Sequence, residues 1–313
     1  MQPPVPKDEE ARVAALHDLQ VLDTGPEADF DDIAALASEV CAAPISLVSL
    51  VDAKRQWFKA KIGMDAEESE REVSFCAHAI LGRDLMVVPD ASTDARFADN
   101  PYVHTTPGVR FYAGAPLVTS DGTALGTLCV VDYKPHRLTL DETRALRALA
   151  KQVSEYLELR KRIITGDAYA FESHDVDLAY LIEGRVRDLR PIADGRNIVM
   201  TLSSSGAPIV LADPRRLAPA IDYVVFSCLK AAPAGSRVAV KVIDGPAPAF
   251  EVSHGGGSIM PAWQADLAGM HRAEEPLPAA AAAVLWAHGA KVTTTSPALG
   301  SPDVAFRIEF PAH

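Results

Sequence analysis

Cys76 and His78 stand two residues apart in Ser74-Phe75-Cys76-Ala77-His78, and a thiol beside an imidazole can do several kinds of chemistry. The pair could ligate a metal or haem iron, or Cys76 could carry a chromophore such as a bilin through a thioether. A zinc site takes about four such ligands, and Cys-x-His brings two, so no metal site is expected. The plainer reading is a buried thiol packing a short helix. The other cysteines, Cys41, Cys129 and Cys228, are widely spaced and form no Cys-x-x-Cys pair, which predicts reduced thiols in a cytoplasmic protein. Trp57, Phe75, Arg110, Phe111 and Tyr112 join Cys76 and His78 as the mix of aromatic wall and polar handle that a small-molecule pocket uses. The same aromatics also suit core and loop anchors. No catalytic residue is expected among them.

The elements that would position these residues are legible in the periodicity. "EEARVAALHDL" spaces Val13, Leu16 and Leu19 as a narrow helical stripe with acidic residues leading it. After the Gly25-Pro26 break, Phe30, Ile33, Leu36 and Val40 line a second helix. The period then becomes that of strands: "PISLVSLVD" and "QWFKAKIG", joined by "DAKR", read as an antiparallel hairpin. "VSFCAHAIL" reads as a short helix capped by Ser74, "LMVVPDA" as a strand, and "ASTDARFADNPYV" as a turn-rich loop. "RFYAGAPLV" and "ALGTLCVVD" flank Asp121-Gly122, a strong hairpin signal. An antiparallel sheet with helices on one face fits this order.

The strings "PISLVSLVD", "RQWFKAKIG", "SFCAHAIL", "VVPDA", "RFADNP", "RFYAGAPL" and "LGTLCVVD" resemble, in that order, the GAF domains attached to bacterial histidine kinases and diguanylate cyclases. The resemblance runs from about Glu9 to Arg160. It implies a six-stranded antiparallel sheet with a pocket between sheet and loops, and leaves the ligand unknown. The Cys-His of bilin-binding GAF domains falls later in the domain, where this chain has "RFYAG" and no cysteine. The Asn-Lys-Phe-Asp-Glu signature of cyclic-nucleotide-binding GAF domains is also missing.

"LTLDETRALRALAKQVSEYLELRKRII" is the clearest helix of the chain. Thr139 and Glu142 form a capping box, and Leu146, Leu149, Val153, Tyr156, Leu157 and Ile163 follow three–four spacing. The stripe could pack on the preceding sheet or on a second copy of the helix; a homodimer is expected. The helix contains no histidine. The next one, His174, reads as a solvated linker residue rather than a phospho-acceptor.

In the second half, Leu178, Leu181, Ile182, Val186, Leu189 and Ile192 mark one helix, and Asp213-Pro214 opens another carrying Leu217, Ile221, Val224, Val225 and Leu229. Strands "IVMTLSS", "PIVLA", "SRVAVKVID" and "AFEVSH" accompany them, and the chain closes as helix, strand, turn, strand. "VDLAYLIEGRVRDLRPIADGRNI", "ADPRRLAPAI", "LKAAPAGSRVAVKV", "AHGAKVTTTS" and "AFRIEFP" resemble the GHKL ATPase domain of histidine kinases over about Val176 to His313. The resemblance implies a mixed sheet covered by three helices on one face, and it also shows what has changed. Tyr223 and Ser227 stand where the family has two asparagines, of which one holds Mg²⁺, an ion that takes oxygen ligands in octahedral geometry; Lys230 is retained. In "SHGGGSI", Ser253 stands where an Asp binds adenine, while Gly255 and Gly257 keep the bend. "EEPLPAAAAAV" replaces the glycine loop that cradles phosphate with backbone N–H groups, and prolines have none to give.

Composition narrows the partners. The chain has 313 residues, enough for two domains, and a net charge of -12. That charge argues against nucleic acid and against an anionic membrane surface. Neither a membrane span nor a signal peptide is expected. The expected class is α+β: a GAF domain over residues 1–137, a connecting helix over 138–166, a linker over 167–175, and a GHKL-type α/β sandwich over 176–313. The functional expectation is a signal-transduction regulator that works by contact with a histidine kinase or response regulator, with no cofactor and no Mg·ATP binding. The alternatives are a divergent active histidine kinase, and a GAF small-molecule or chromophore receptor with a passive output domain.

Overall fold

The computed structural model describes residues 3–165, 172–255, 276–295 and 303–311, and the chain divides into two units, residues 1–158 and 159–313. The first unit contains helices α1 (Glu9–Asp18) and α2 (Ala28–Val40), strands β1 (Ile45–Val51), β2 (Arg55–Ile62) and β3 (Glu68–Glu70), a 3-10 turn at Arg71–Val73, and the short helix α3 (Phe75–Ala79). Strand β4 (Met86–Val88), helix α4 (Pro101–His104), strands β5 (Phe111–Val118) and β6 (Ala124–Asp132) follow, and then helix α5 (Leu140–Thr165), whose last residues run past the end of this unit at residue 158. The six strands form one antiparallel sheet in the order β3-β2-β1-β6-β5-β4. At the β5–β6 turn, Gly122 has φ +88°, a conformation open to glycine at little steric cost.

Two expectations for this unit change. Strand β3 is Glu-Ser-Glu, which carries no apolar alternation to announce it. The helices cover both faces of the sheet rather than one. Every residue of β1 is buried, as a strand packed on both sides requires. α2 packs on β1, β2 and β6, and α3 packs on β1, β5 and β6.

On the α2 side, the Lys59 ammonium is buried and fully used. It lies 2.6 Å from a Glu27 carboxylate oxygen and donates to the Thr24 hydroxyl and the Gly25 carbonyl, both at 2.8 Å. It also sits over the rings of Phe30 and Trp57, where a cation meets the negative ring faces. This one side chain fixes the loop into α2 onto β2.

α5 begins with the expected reciprocal cap. The Glu142 N–H donates to the Thr139 hydroxyl, and the Thr139 N–H to the Glu142 carboxylate. Its apolar stripe is not a free dimer face. Leu146, Leu149, Val153, Tyr156 and Leu157 are all buried within the single chain, and the Tyr156 ring meets Phe30 of α2 edge-on. The exposed side carries Asp141, Arg144, Arg147 and Lys151. The Ile163 side chain lies outside what the structure describes.

The second unit contains β7 (His174–Asp177), α6 (Leu178–Gly195), β8 (Val199–Ser204), β9 (Ile209–Ala212), α7 (Pro214–Ala231), β10 (Arg237–Ile243), β11 (Ala249–Gly255), α8 (Pro276–Ala287), β12 (Lys291–Thr295) and β13 (Asp303–Glu309). Five strands form a mixed sheet in the order β12-β13-β11-β10-β8, with β8 and β10 parallel. Burial alternates cleanly along β10: Val238, Val240 and Val242 are buried, while Arg237 and Lys241 are exposed. Such alternation belongs to a sheet with one covered face; α6 packs on β8 and β10, α7 on β10 and β11, and α8 on α7. His174 corrects a reading. It is exposed, as expected, but belongs to β7, which pairs with β9 in a separate ribbon.

Polar anchors join the helices of this unit. Arg185 of α6 meets the buried Asp222 of α7 and its own neighbour Asp188, each at 3.1 Å. Asp213 caps α7 by accepting from the Arg215 N–H. The Asp213 N–H donates in turn to Nε2 of the buried His288, whose Nδ1 lies 2.7 Å from the Val284 carbonyl. Nδ1 therefore carries the proton and Nε2 the lone pair.

Candidate functional site

A cavity of about 190 Å³ opens on the α3 side of the first unit's sheet. Its walls come from the strands (Ile45, Leu47, Phe58, Val131), from α3 (Phe75, Cys76), and from the segment between α4 and β5, including Thr105 and Val109. Tyr102 and Tyr133 line it while remaining partly exposed, so they mark its mouth. The α3 residues are placed by the Ser74 cap, which accepts from the Ala77 N–H at 3.0 Å. The roof is tied down by Asn100, which donates to the Val73 carbonyl at 2.8 Å, and by Arg110, which donates to the Val103 carbonyl at 2.8 Å.

Of the seven pocket residues expected from sequence, Phe75, Cys76 and Tyr112 line this cavity and the other four do not. Trp57 is buried beside Lys59. Phe111 stacks obliquely on His136. His78 packs edge-on against Phe97. Arg110 spends its guanidinium on backbone carbonyls. Strand alternation separates Phe111 from Tyr112, and tracing it along each strand would have made that division from sequence.

Among the lining residues that sequence reasoning missed, Gln56 and Cys129 bring the polar and thiol chemistry. The Gln56 amide N–H donates to the Ser69 hydroxyl at 2.7 Å, and its carbonyl accepts from Ser74 and Ser49. This polar corner is therefore satisfied internally, and the rest of the wall is largely apolar. Cys129 brings its sulfur to 3.8 Å from that of Cys76, with the Tyr112 hydroxyl 3.5 Å from the Cys76 sulfur. Long-range pairing of this kind, across 53 residues, has no local sequence signal. No group of three or more His, Cys, Asp or Glu side chains able to hold a metal occurs among the described residues.

In the second unit, Tyr223 and Ser227 are buried on α7 and Lys230 is partly exposed near its end. The neighbouring carboxylate, Asp222, is held by Arg185. On β11, Ser253 lies opposite Ala239 and His254 opposite the buried Val238. The side chain on the helix-covered face is thus His254, which is buried, and Ser253 lies on the half-exposed face. Ser253, the residue expected from sequence to stand at an adenine-binding position, thus lies on the outer face, and the inward-facing residue beside it is an imidazole; neither is a carboxylate. Gly255 ends β11, paired with Asp303. Gly257, with Glu274 and Glu275, lies outside the described residues.

No helix among the described residues is long and apolar enough to cross a membrane. Comparison with known proteins gives the first unit a family. A cyclic di-GMP phosphodiesterase of Pseudomonas aeruginosa is 49% identical over 133 residues, covering 42% of this chain. The match spans 23% of that relative's length. Among solved structures, the catalytic domain of histidine kinase ThkA aligns with a TM-score of 0.40 at 16% identity, over 45% of this chain and 98% of that one. A mycobacterial sensor histidine kinase, MprB, aligns with a TM-score of 0.38 at 22% identity, over 45% of this chain and 99% of that one. Residues 25–157 match the GAF domain family, whose six-stranded antiparallel sheet and loop-covered pocket are the ones described above, so that this part of the chain is a GAF domain.

Proposed function

We propose that this chain is a signal-transduction regulator in which the GAF domain takes a small, largely apolar molecule and the second unit acts by contact with a protein of a two-component pathway, without using ATP. The observation that carries the reading is the replacement of the oxygen ligands expected on α7 and β11. A buried phenol and an enclosed hydroxyl, Tyr223 and Ser227, occupy the α7 positions, and neither Ser253 nor His254 puts a carboxylate at the end of β11 where the adenine-binding Asp is expected. A Mg²⁺ ion needs hard oxygen donors at short range, and a charged hydrogen bond to a nucleotide is worth about 1.5–3 kcal/mol. Losing both removes more than a hundredfold of affinity, by about 1.4 kcal/mol per factor of ten.

The GAF side of the proposal rests on the composition of its cavity. Gln56 is satisfied by Ser69, Ser74 and Ser49, so an incoming ligand gains most by burying apolar surface. The phosphodiesterase activity in the name of the P. aeruginosa relative is not carried over, because the match spans 23% of that protein. Association with a second copy, if it supports signalling, uses a surface other than the buried stripe of α5. Incubation of the chain with γ-labelled ATP, alone and with a response regulator, tests the proposal. No transfer of label is expected; label on the chain or on the regulator supports an active kinase instead.

A further inference from the structure

The floor of the GAF cavity holds a chemical grouping that ligand binding and domain docking leave unused. Cys76 and Cys129 both line the cavity, and their sulfurs are 3.8 Å apart. The remaining cysteines, Cys41 and Cys228, are buried and line no described pocket. A disulfide needs the sulfurs at about 2.05 Å, so bonding requires the two sulfurs to close on each other across the cavity floor. We propose that Cys76 and Cys129 form a hydroperoxide-reactive dithiol, with Cys76 as the attacking thiol and Cys129 as the resolving one. The cavity then admits the oxidant to the sulfurs, and the proposal stands independently of what the second unit does.

The surroundings of the two sulfurs differ. Burial acts to raise the Cys76 thiol, but the polar side chains around it, Cys129 first and then Thr127, Tyr112 and Ser49, outweigh it and hold it below the ordinary thiol range. Cys129 is pushed well up by its hydrogen bond with Cys76 and then by burial. Burial raises Cys41 to about 12 and raises Cys228 further. Thiolate character and access determine which cysteine is oxidised first. Cys76 has both the donors and the cavity.

The chemistry balances with a hydroperoxide as oxidant. The Cys76 sulfur lone pair attacks the distal peroxide oxygen, the O–O bond breaks, and the departing oxygen takes a proton to leave as water or an alcohol. Cys76 is then a sulfenic acid. The Cys129 sulfur attacks it, forming the S–S bond, and the sulfenic oxygen leaves as water with the Cys129 proton. Two thiols lose two electrons in total, and the peroxide gains them. The product would draw α3 towards β6 across the cavity floor, so the oxidised and reduced states would differ at the ligand site itself.

The test uses the full chain, reduced, freed of reductant and exposed to a small excess of hydrogen peroxide, then blocked with N-ethylmaleimide for mass spectrometry. The expected result is a loss of about 2 Da in the chain before blocking, reversible by dithiothreitol, two fewer maleimide adducts after it, a linked peptide joining Cys76 to Cys129, and modification at least about tenfold faster than at Cys41 or Cys228. In Cys129→Ser, the expected product is a dimedone-trapped sulfenic acid at Cys76. Tyr112→Phe, which keeps the ring and removes one donor, should slow oxidation of Cys76 several-fold. An unchanged circular dichroism spectrum shows that each variant folds. Equal oxidation rates at all four cysteines, or oxidation of Cys76 to sulfinic acid with no linked peptide in the unsubstituted chain, would overturn the proposal.

Discussion

Lys59→Met isolates the polar knot that fixes α2 onto the GAF sheet. Methionine keeps the unbranched stem against Phe30 and Trp57 and removes the ammonium, leaving the Glu27 carboxylate, the Thr24 hydroxyl and the Gly25 carbonyl without it. Breaking a buried pair by removing one partner costs about 3–5 kcal/mol. The Lys59 side chain is wholly buried and that of Glu27 is 14% exposed, so water can partly rehydrate the carboxylate, and we expect about 2–4 kcal/mol. With a urea m-value of about 2 kcal/mol/M, that is a midpoint lowered by about 1–2 M. The assay is urea unfolding followed by Trp57 fluorescence in a Trp263→Phe/Trp286→Phe background, which reports on the first unit by itself. The pairing of Lys59→Met with Glu27→Gln should recover about 1–2 kcal/mol, because the orphaned charge goes with it. A Lys59→Met midpoint unchanged within error would refute the reasoning, as would a double variant no more stable than the single.

Other consequences are open to measurement. Glu9 is pushed up by burial, but hydrogen bonds from Arg12 and Arg71 outweigh this and hold it at about 2, below its ordinary 4.5. The stabilisation it gives is therefore complete above pH 4.5 and lost as the pH falls towards about 2; after allowance for solvent screening we expect about 1 kcal/mol, and Glu9→Gln should flatten the acid limb of first-unit stability over that window. Thr139→Ala removes half of the α5 capping box and should cost about 1 kcal/mol, read as earlier thermal unfolding with faster hydrogen exchange in the first turn of α5. Arg185→Met leaves the buried Asp222 charge without its guanidinium and should destabilise the second unit by about 3 kcal/mol, with Asp222→Asn in the same chain restoring part of the loss in calorimetric melts.

The elements that could be read from sequence are those whose burial is periodic. Phe30, Ile33, Leu36 and Val40 form the buried side of α2, and Leu178, Ile182, Val186, Leu189 and Ile192 that of α6, at helical spacing. The caps at Ser74, Thr139 and Asp213 were legible because each depends on a residue a few positions away. β3 was not, since an edge strand of Glu-Ser-Glu has no apolar face. The stripe on α5 was visible, but whether it met its own sheet or a second helix depended on Phe30, more than a hundred residues earlier. The site divides in the same way. Phe75, Cys76 and Tyr112 stood out by residue type, whereas the Cys76–Cys129 approach and the role of Gln56 arise where strands distant in sequence meet.

Calorimetric titration of the full chain with ATP, with and without Mg²⁺, tests most directly whether the second unit has lost its nucleotide chemistry. No heat of binding is expected for ATP up to about 1 mM, which corresponds to less than about 4 kcal/mol of affinity, and no change on adding Mg²⁺. Micromolar binding that strengthens with Mg²⁺ would contradict it, because it would require Tyr223, Ser227 and His254 to leave intact a site that their chemistry argues is gone.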